Sequence, residues 1–252
     1  ESYDASVPTP LVICIHGFAQ WPAHQLQISG WTALADEHGF IVVCPMGTGF
    51  PLRWRAYGPP GSENDPMLEV NFISALIDQL SAEYNIDPAR IYANGLSNGG
   101  GMSFALACML SERIAAVGMV GGAYLLPWGQ CNPARPVPAV VFHGTADPIV
   151  PFQGGPSHSF ELPFPAIPDF VADLAEHNGC PGESIALPAS DEVSGIQYTG
   201  CAAEVIFYTI AGGGHSWPGG EPIPEWIVGY TTQDIAASAV MWEFFTRHPM
   251  DG

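Results

Sequence analysis

The chain has 252 residues with 6 Lys+Arg against 25 Asp+Glu, a formal net charge of -19. Such a charge repels phosphate backbones and anionic headgroups, so neither nucleic acid nor a membrane surface is expected as a partner. Only 12% of residues are charged, too few for a solvated disordered chain, and no apolar run approaches the roughly 18 residues of a membrane span, so a soluble globular protein is expected.

In chain order, short apolar runs read as buried parallel strands: Leu11–Ile15, Phe40–Cys44, Arg90–Ala93, Ala115–Val120, Ala139–Phe142 and Val205–Ile210. Helical spacing lies between them. In Met67–Tyr84, Leu68, Phe72, Leu76 and Leu80 recur at i+4 and predict one inward stripe. Asp169–His177 and Thr232–Arg247 read likewise, the latter with Ile235, Ala239 and Trp242 inward and Thr231 or Thr232 as N-cap. The alternation predicts a single α/β domain over residues 1–252, a mostly parallel central sheet with helices on both faces and no separate lid. Pro45–Pro66 and Pro148–Pro168 fit no element, and loops that long are expected to cover a site. The chain opens at Glu1, not Met, so its start is read as processed and silent on the compartment.

The chemistry concentrates at strand ends. Arg90–Ala93 leads into Gly95-Leu96-Ser97-Asn98-Gly99, a G-x-S-x-G that opens a helix of small residues. A serine hydroxyl becomes a nucleophile when a sharp strand-to-helix turn holds it beside a base, and the tight turn demands glycine on either flank. Asp147 follows the strand Ala139–Phe142 in His143-Gly144-Thr145-Ala146-Asp147, and His215 follows Val205–Ile210 in Gly212-Gly213-Gly214-His215. Ser97, Asp147 and His215 therefore stand in the chain order nucleophile, acid, base, each past a strand end. In Ile15-His16-Gly17-Phe18-Ala19, the Phe18 N–H is assigned to an oxyanion hole together with the Asn98 N–H. Trp217 and Phe18 are expected to wall a substrate pocket; Trp54 and Trp128 are equally readable as core.

Other candidates have plainer readings. His16 and His143 are expected to brace their loops, Asp87 to form a turn, and Asp169 and Asp173 to lie on a solvated helix face. His24, His38, His158, His177 and His248 have no motif around them. Six cysteines show neither CxxC nor Cys/His ligand spacing, so no metal is expected, and no cofactor motif occurs. Cys180 and Cys201 sit in turn-like contexts that suit a disulfide; Cys108 and Cys131, flanking Ala115–Val120, are the next pair. Cys14 and Cys44 read as buried thiols, a reading that stays open for the rest as well.

Four stretches, Pro10–Gly17, Asp87–Gly100, Pro138–Asp147 and Gly212–Gly220, resemble the secreted polyhydroxybutyrate-depolymerase and feruloyl-esterase type of α/β hydrolase, related to carbohydrate esterase family 1. The resemblance implies an α/β-hydrolase fold, a paired Cys180 and Cys201, secretion, and a serine carboxylic ester hydrolase working through an acyl-enzyme. The substrates implied are feruloyl or acetyl esters, on plant polysaccharide for example, or polyesters, cleaved by a monomer. Relatives of this type carry a strand pair before the His-Gly strand, where this chain has residues 1–10, so that sheet edge is expected to need another cover. A prolyl-oligopeptidase-type serine peptidase and a non-catalytic hydrolase-fold binding module are the rival readings.

Overall fold

The computed structural model describes residues 3–157, 162–188 and 190–250; His158 lies outside them. Eight strands, β1 (Thr9–Ile15), β2 (Ile41–Val43), β3 (Ile86–Leu96), β4 (Ala116–Val120), β5 (Ala139–Gly144), β6 (Ser184–Leu187), β7 (Val193–Tyr198) and β8 (Val205–Ile210), form one sheet in the order β2-β1-β3-β4-β5-β8-β7-β6. From β2 to β8 every pair is parallel, while β7 runs antiparallel to β8 and β6 to β7. The helices are α1 (Pro22–Ser29), α2 (Trp31–His38), α3 (Met67–Glu83), α4 (Asn98–Met109), α5 (Ile167–His177), α6 (Glu225–Val228) and α7 (Ala237–Thr246).

Strand side chains alternate between faces, and β1 shows the consequence. Leu11, Ile13 and Ile15 join a core with Val70, Ile73 and Ile77 of α3, Phe104 of α4 and Phe170 of α5. Val12 and Cys14 join the opposite core, with Ile28 of α1, Trp31 of α2 and Met241 and Phe245 of α7. Both sheet faces are thus buried, which is why the parallel strands read as unbroken apolar runs. The edge beside β1 is covered by the three-residue β2, and short strands limit edge pairing.

Three sequence expectations need correction. The i+4 series on α3 is not its inward face: Leu68 and Phe72 are exposed, Leu76 and Leu80 half-buried, and the buried set is Val70, Ile73 and Ile77. Each i+4 step overshoots a full turn by about 40°, so such a row winds off the core, whereas steps of three and four average out. The last helix starts at Ala237, not Thr232, because Gly219 N–H donates to Thr232 O and Ala237 N–H to Pro218 O, tying that stretch to the chain after His215. Thr232 caps no helix; its hydroxyl donates to Glu192. Helices α1 and α2 and the β6–β7 hairpin carry too little periodic pattern to be read beforehand. Gly30, in a left-handed conformation, ends α1 and begins α2.

Two disulfides are present, Cys108–Cys131 and Cys180–Cys201, while Cys14 and Cys44 are free thiols. Among the described residues no helix is long and apolar enough to cross a membrane.

Candidate active site

The β3–α4 turn holds Ser97 at φ 60°, ψ −119°. Only Ala19 and Ser97 among the described non-glycine residues have positive φ, and both border the same site; strain of this kind persists where the surrounding structure over-determines it. Here the determinants are the Ser97 N–H, which donates to Val120 O at 2.9 Å, and the Ser97 C=O, which accepts from Gly101 and Ala123 N–H. The flanking glycines meet a steric demand. A Cβ on Gly99 would stand 2.1 Å from Ile15 O, and one on Gly95 2.5 Å from the Gly99 carbonyl carbon. Asn98 is the first helical residue of α4, and N–H groups of a first turn have no intrahelical partner.

Asp147 and His215 meet from two adjacent strands, β5 and β8. The Asp147 Oδ2 accepts from His215 Nδ1 at 2.7 Å, and Oδ1 accepts from Ile149 and Val150 N–H, both at 2.8 Å. Burial alone would raise the Asp147 carboxyl, but the neighbouring His215 and His143 and these hydrogen bonds outweigh it and hold it below the ordinary carboxylate range. An Nδ1–H donated to Asp147 leaves His215 Nε2 as the basic lone pair. The β4 end joins the two halves: Val120 O receives the Ser97 N–H, and a Cβ on the next residue, Gly121, would lie 3.1 Å from His215 Nδ1.

The expected braces hold their loops. His143 Nε2 donates to Val150 O at 2.9 Å and lies 3.4 Å from Asp147 Oδ2; full burial pushes its pKa down to about 4, so it is neutral. His16 donates from Nδ1 to Gly17 O and accepts Gly47 N–H at Nε2, and burial lowers its pKa too. Asp87 Oδ1 accepts from Ala89 N–H within a bulge of β3, and Asp169 and Asp173 are exposed. His24 and His248 are half-buried; His38 is exposed, as is His177, which stacks on Trp128.

Sequence reasoning missed two polar side chains that shape the site. Gln20 Oε1 accepts Gly17 N–H and, with the bond from Ala19 N–H to Leu52 O, sets the loop around Phe18. Asn98, read only for its backbone, clamps the long Pro45–Pro66 loop: its Oδ1 accepts Trp54 N–H at 2.7 Å and its Nδ2 donates to Trp54 O at 3.0 Å. Nothing in a linear pattern signals a pair 44 residues apart. A cavity of about 430 Å³ opens beside this clamp, lined by Phe18, Trp54, Tyr57, Pro127 and Leu162 with Arg53 and Arg55.

Trp217 does not wall that cavity. It is 1% exposed, sits in the core under α7, and donates its indole N–H to Ser238 Oγ at 3.0 Å. Residues after His215 must turn back under the sheet to meet Thr232 and Ala237, and this takes the Trp217 ring inward. Trp128 also packs, stacked between Phe170 and His177.

Comparison with known proteins identifies the family and the fold. The family model described as Esterase PHB depolymerase matches residues 4–150. The chain is 30% identical to a feruloyl esterase C of Emericella nidulans, covering 97% of this chain and 80% of that protein. It is 32% identical to feruloyl esterase B of Piromyces equi over 82% of this chain, though it spans only 39% of that longer protein. In fold it matches the acetyl xylan esterase from Aspergillus awamori with a TM-score of 0.62 at 15% identity, covering 97% of this chain and 91% of the other. A parallel sheet with a strained serine turn, an acid–histidine pair at neighbouring strand ends and a family match over more than half its length lead to one assignment: the chain belongs to the Esterase PHB depolymerase family, and is a carboxylic ester hydrolase of α/β-hydrolase fold.

Proposed function

We propose that residues 1–252 act as one catalytic domain in which Ser97, His215 and Asp147 are nucleophile, base and orienting acid. The single observation that carries this reading is the 2.7 Å Asp147–His215 hydrogen bond beside the strained Ser97 turn. Ser97 Oγ attacks the ester carbonyl carbon as its proton passes to His215 Nε2, and the carbonyl electron pair moves onto oxygen. The Phe18 and Asn98 N–H groups receive that oxyanion. Gly17 and Ala19, on either side of Phe18, commit their N–H groups to holding the loop. Collapse expels the alcohol, which takes the proton from His215, and water repeats the sequence to release the acid. A donor to the oxyanion is worth roughly 3 to 4 kcal/mol by precedent, so the loop contributes alongside the triad.

Feruloyl or acetyl esters, plant polysaccharide decorations among them, or polyesters are the substrates this reading favours, in line with the names of the relatives. Phe18 on the cavity wall suits a flat or short acyl group. Secretion is part of the proposal, supported by two disulfides, and the enzyme is proposed to work as a monomer without a cofactor. The test is turnover of a p-nitrophenyl ester by Ser97→Ala, His215→Ala and the double variant. Each single variant is expected to lose nearly as much as the double, and singles that both keep more than about a tenth of wild-type kcat would sink the assignment. An anilide analogue cleaved as fast as the ester would favour the peptidase reading instead.

A further inference from the structure

The cavity beside the Asn98 clamp carries basic residues in an acidic molecule. In a chain of net charge -19, its described lining contains two arginines and not one carboxylate. The two arginines differ. Arg55 is committed, donating to Glu69 Oε1 and Thr48 Oγ1 at 2.7 and 2.6 Å and to Glu63 O at 2.7 Å. Elsewhere Arg90 pairs with Asp87, Arg113 with Asp78 and Arg247 with Glu204, while Arg135 donates to main-chain carbonyls. Among the described residues the Arg53 guanidinium alone meets no carboxylate or carbonyl, although acidic residues outnumber basic ones about fourfold.

Its placement is not that of a stray surface charge. Arg53 immediately precedes Trp54, whose N–H and C=O are both bonded to the Asn98 side chain, one residue from Ser97. Its own N–H and C=O are paired with Thr48 across an antiparallel bridge. The backbone that carries Arg53 is therefore fixed relative to the nucleophile turn, and the residue lines a space of about 430 Å³, within the range of small-ligand pockets.

We propose that this cavity is a subsite for esters bearing a free carboxylate, with Arg53 as the residue that receives it. The inference rests on the esterase reading of Ser97 and deepens it by naming the charge of the substrate. A planar guanidinium offers a paired-donor fork that matches a carboxylate, and walls of Phe18, Trp54 and Tyr57 suit the ring or chain between carboxylate and ester. The carboxylate can belong to the acyl half, as in a half-ester of a dicarboxylic acid, or to the alcohol half.

Two substrate pairs separate these. The acyl arm compares kcat/KM for monomethyl terephthalate with dimethyl terephthalate; the alcohol arm compares 4-carboxyphenyl acetate with 4-acetylphenyl acetate. In one arm the wild-type enzyme should prefer the anionic member by roughly fivefold or more, between the value of an exposed ion pair and that of a charge-assisted hydrogen bond. Arg53→Gln should erase that ratio, Arg53→Lys should keep part of it, and about 0.5 M salt should shrink it in the wild type. Loss of both members in equal proportion, or no anionic preference in either arm, overturns the proposal. If no ester in either arm is hydrolysed, the esterase reading fails by itself. The subsite is then decided by calorimetric titration of monomethyl terephthalate into Ser97→Ala protein with and without Arg53→Gln: binding weakened about fivefold by Arg53→Gln sustains it, and equal binding overturns it.

Discussion

Asn98→Ala tests how the Ser97 turn and the cavity wall are joined. The substitution deletes the acceptor of the Trp54 N–H and the donor to the Trp54 C=O, bonds of 2.7 and 3.0 Å, at a residue only 1% exposed. A buried polar backbone group left without a partner costs about 1–3 kcal/mol, so two such groups, with some relief from water entering the gap, cost about 3 kcal/mol. For a domain of this size that is a fall in Tm of about 6–12 °C. The Asn98 N–H proposed to receive the oxyanion belongs to the backbone and survives. The variant should therefore raise KM for a feruloyl ester, which needs the Trp54 wall, more than it lowers kcat for an acetyl ester. Thermal unfolding followed by circular dichroism, with kcat and KM on both esters, measures each part. A stability within about 0.5 kcal/mol of wild type, the range of an ordinary surface change, would show that the clamp does not hold the loop.

Trp217→Ala should destabilise the protein by about 3–5 kcal/mol, the cost of emptying a buried aromatic site, and should lower kcat/KM for feruloyl and acetyl esters in equal proportion; selective loss of the feruloyl ester would return Trp217 to the pocket wall. Stability should fall with acid. His143 takes up a proton only near pH 4 in the folded protein but near 6.5 once unfolded, so stability fully present above pH 6.5 is lost on descending to 4, by up to about 3 kcal/mol. Urea titrations at pH 7 and 4.5 should show this loss in the wild type and a smaller one in His143→Gln; equal losses would remove His143 as the cause. Opening the Cys180–Cys201 loop, whose ends are 21 residues apart, with a Cys180→Ser/Cys201→Ser pair should cost roughly 3 kcal/mol by chain entropy, read from the denaturation midpoint.

What could be read in the sequence followed from how narrowly physics restricts each feature. A fully buried parallel strand must be apolar along its whole length, so all the central strands were legible, β8 to the residue. The turn at Ser97 tolerates only glycine at its flanks, because Gly95 and Gly99 meet backbone at distances no Cβ allows, and so a motif results. Amphipathic signals were weaker guides. In α4 almost every residue is buried, and in α1 even Gln25 and Ser29 are, so neither helix shows a contrast between faces. The Trp217 error has the same root: an aromatic residue serves a core or a pocket equally well, and only the path of the chain after His215 decides between them.

The loop from Pro45 to Pro66 shows why substrate preference was harder to read than chemistry. Besides its internal Thr48–Arg53 bridge, the loop is fixed from elsewhere in the chain: His16 holds Gly47, Ala19 holds Leu52, Asn98 holds Trp54 and Glu69 holds Arg55. Three of these partners adjoin the proposed catalytic groups, His16 and Ala19 in the loop of Phe18 and Asn98 next to Ser97. The same residues that adjoin the Ser97 turn and the Phe18 loop thus also set the cavity wall. Shape on that side of the site cannot vary freely without disturbing the proposed chemistry. What can vary is a side chain that holds nothing, and on this wall Arg53, with its backbone tied and its guanidinium meeting no protein carboxylate or carbonyl among the described residues, is in that position. Selectivity can change at such a residue at little cost to the fold, and this makes Arg53, more than the aromatic walls, the position at which close relatives of this enzyme should divide by substrate.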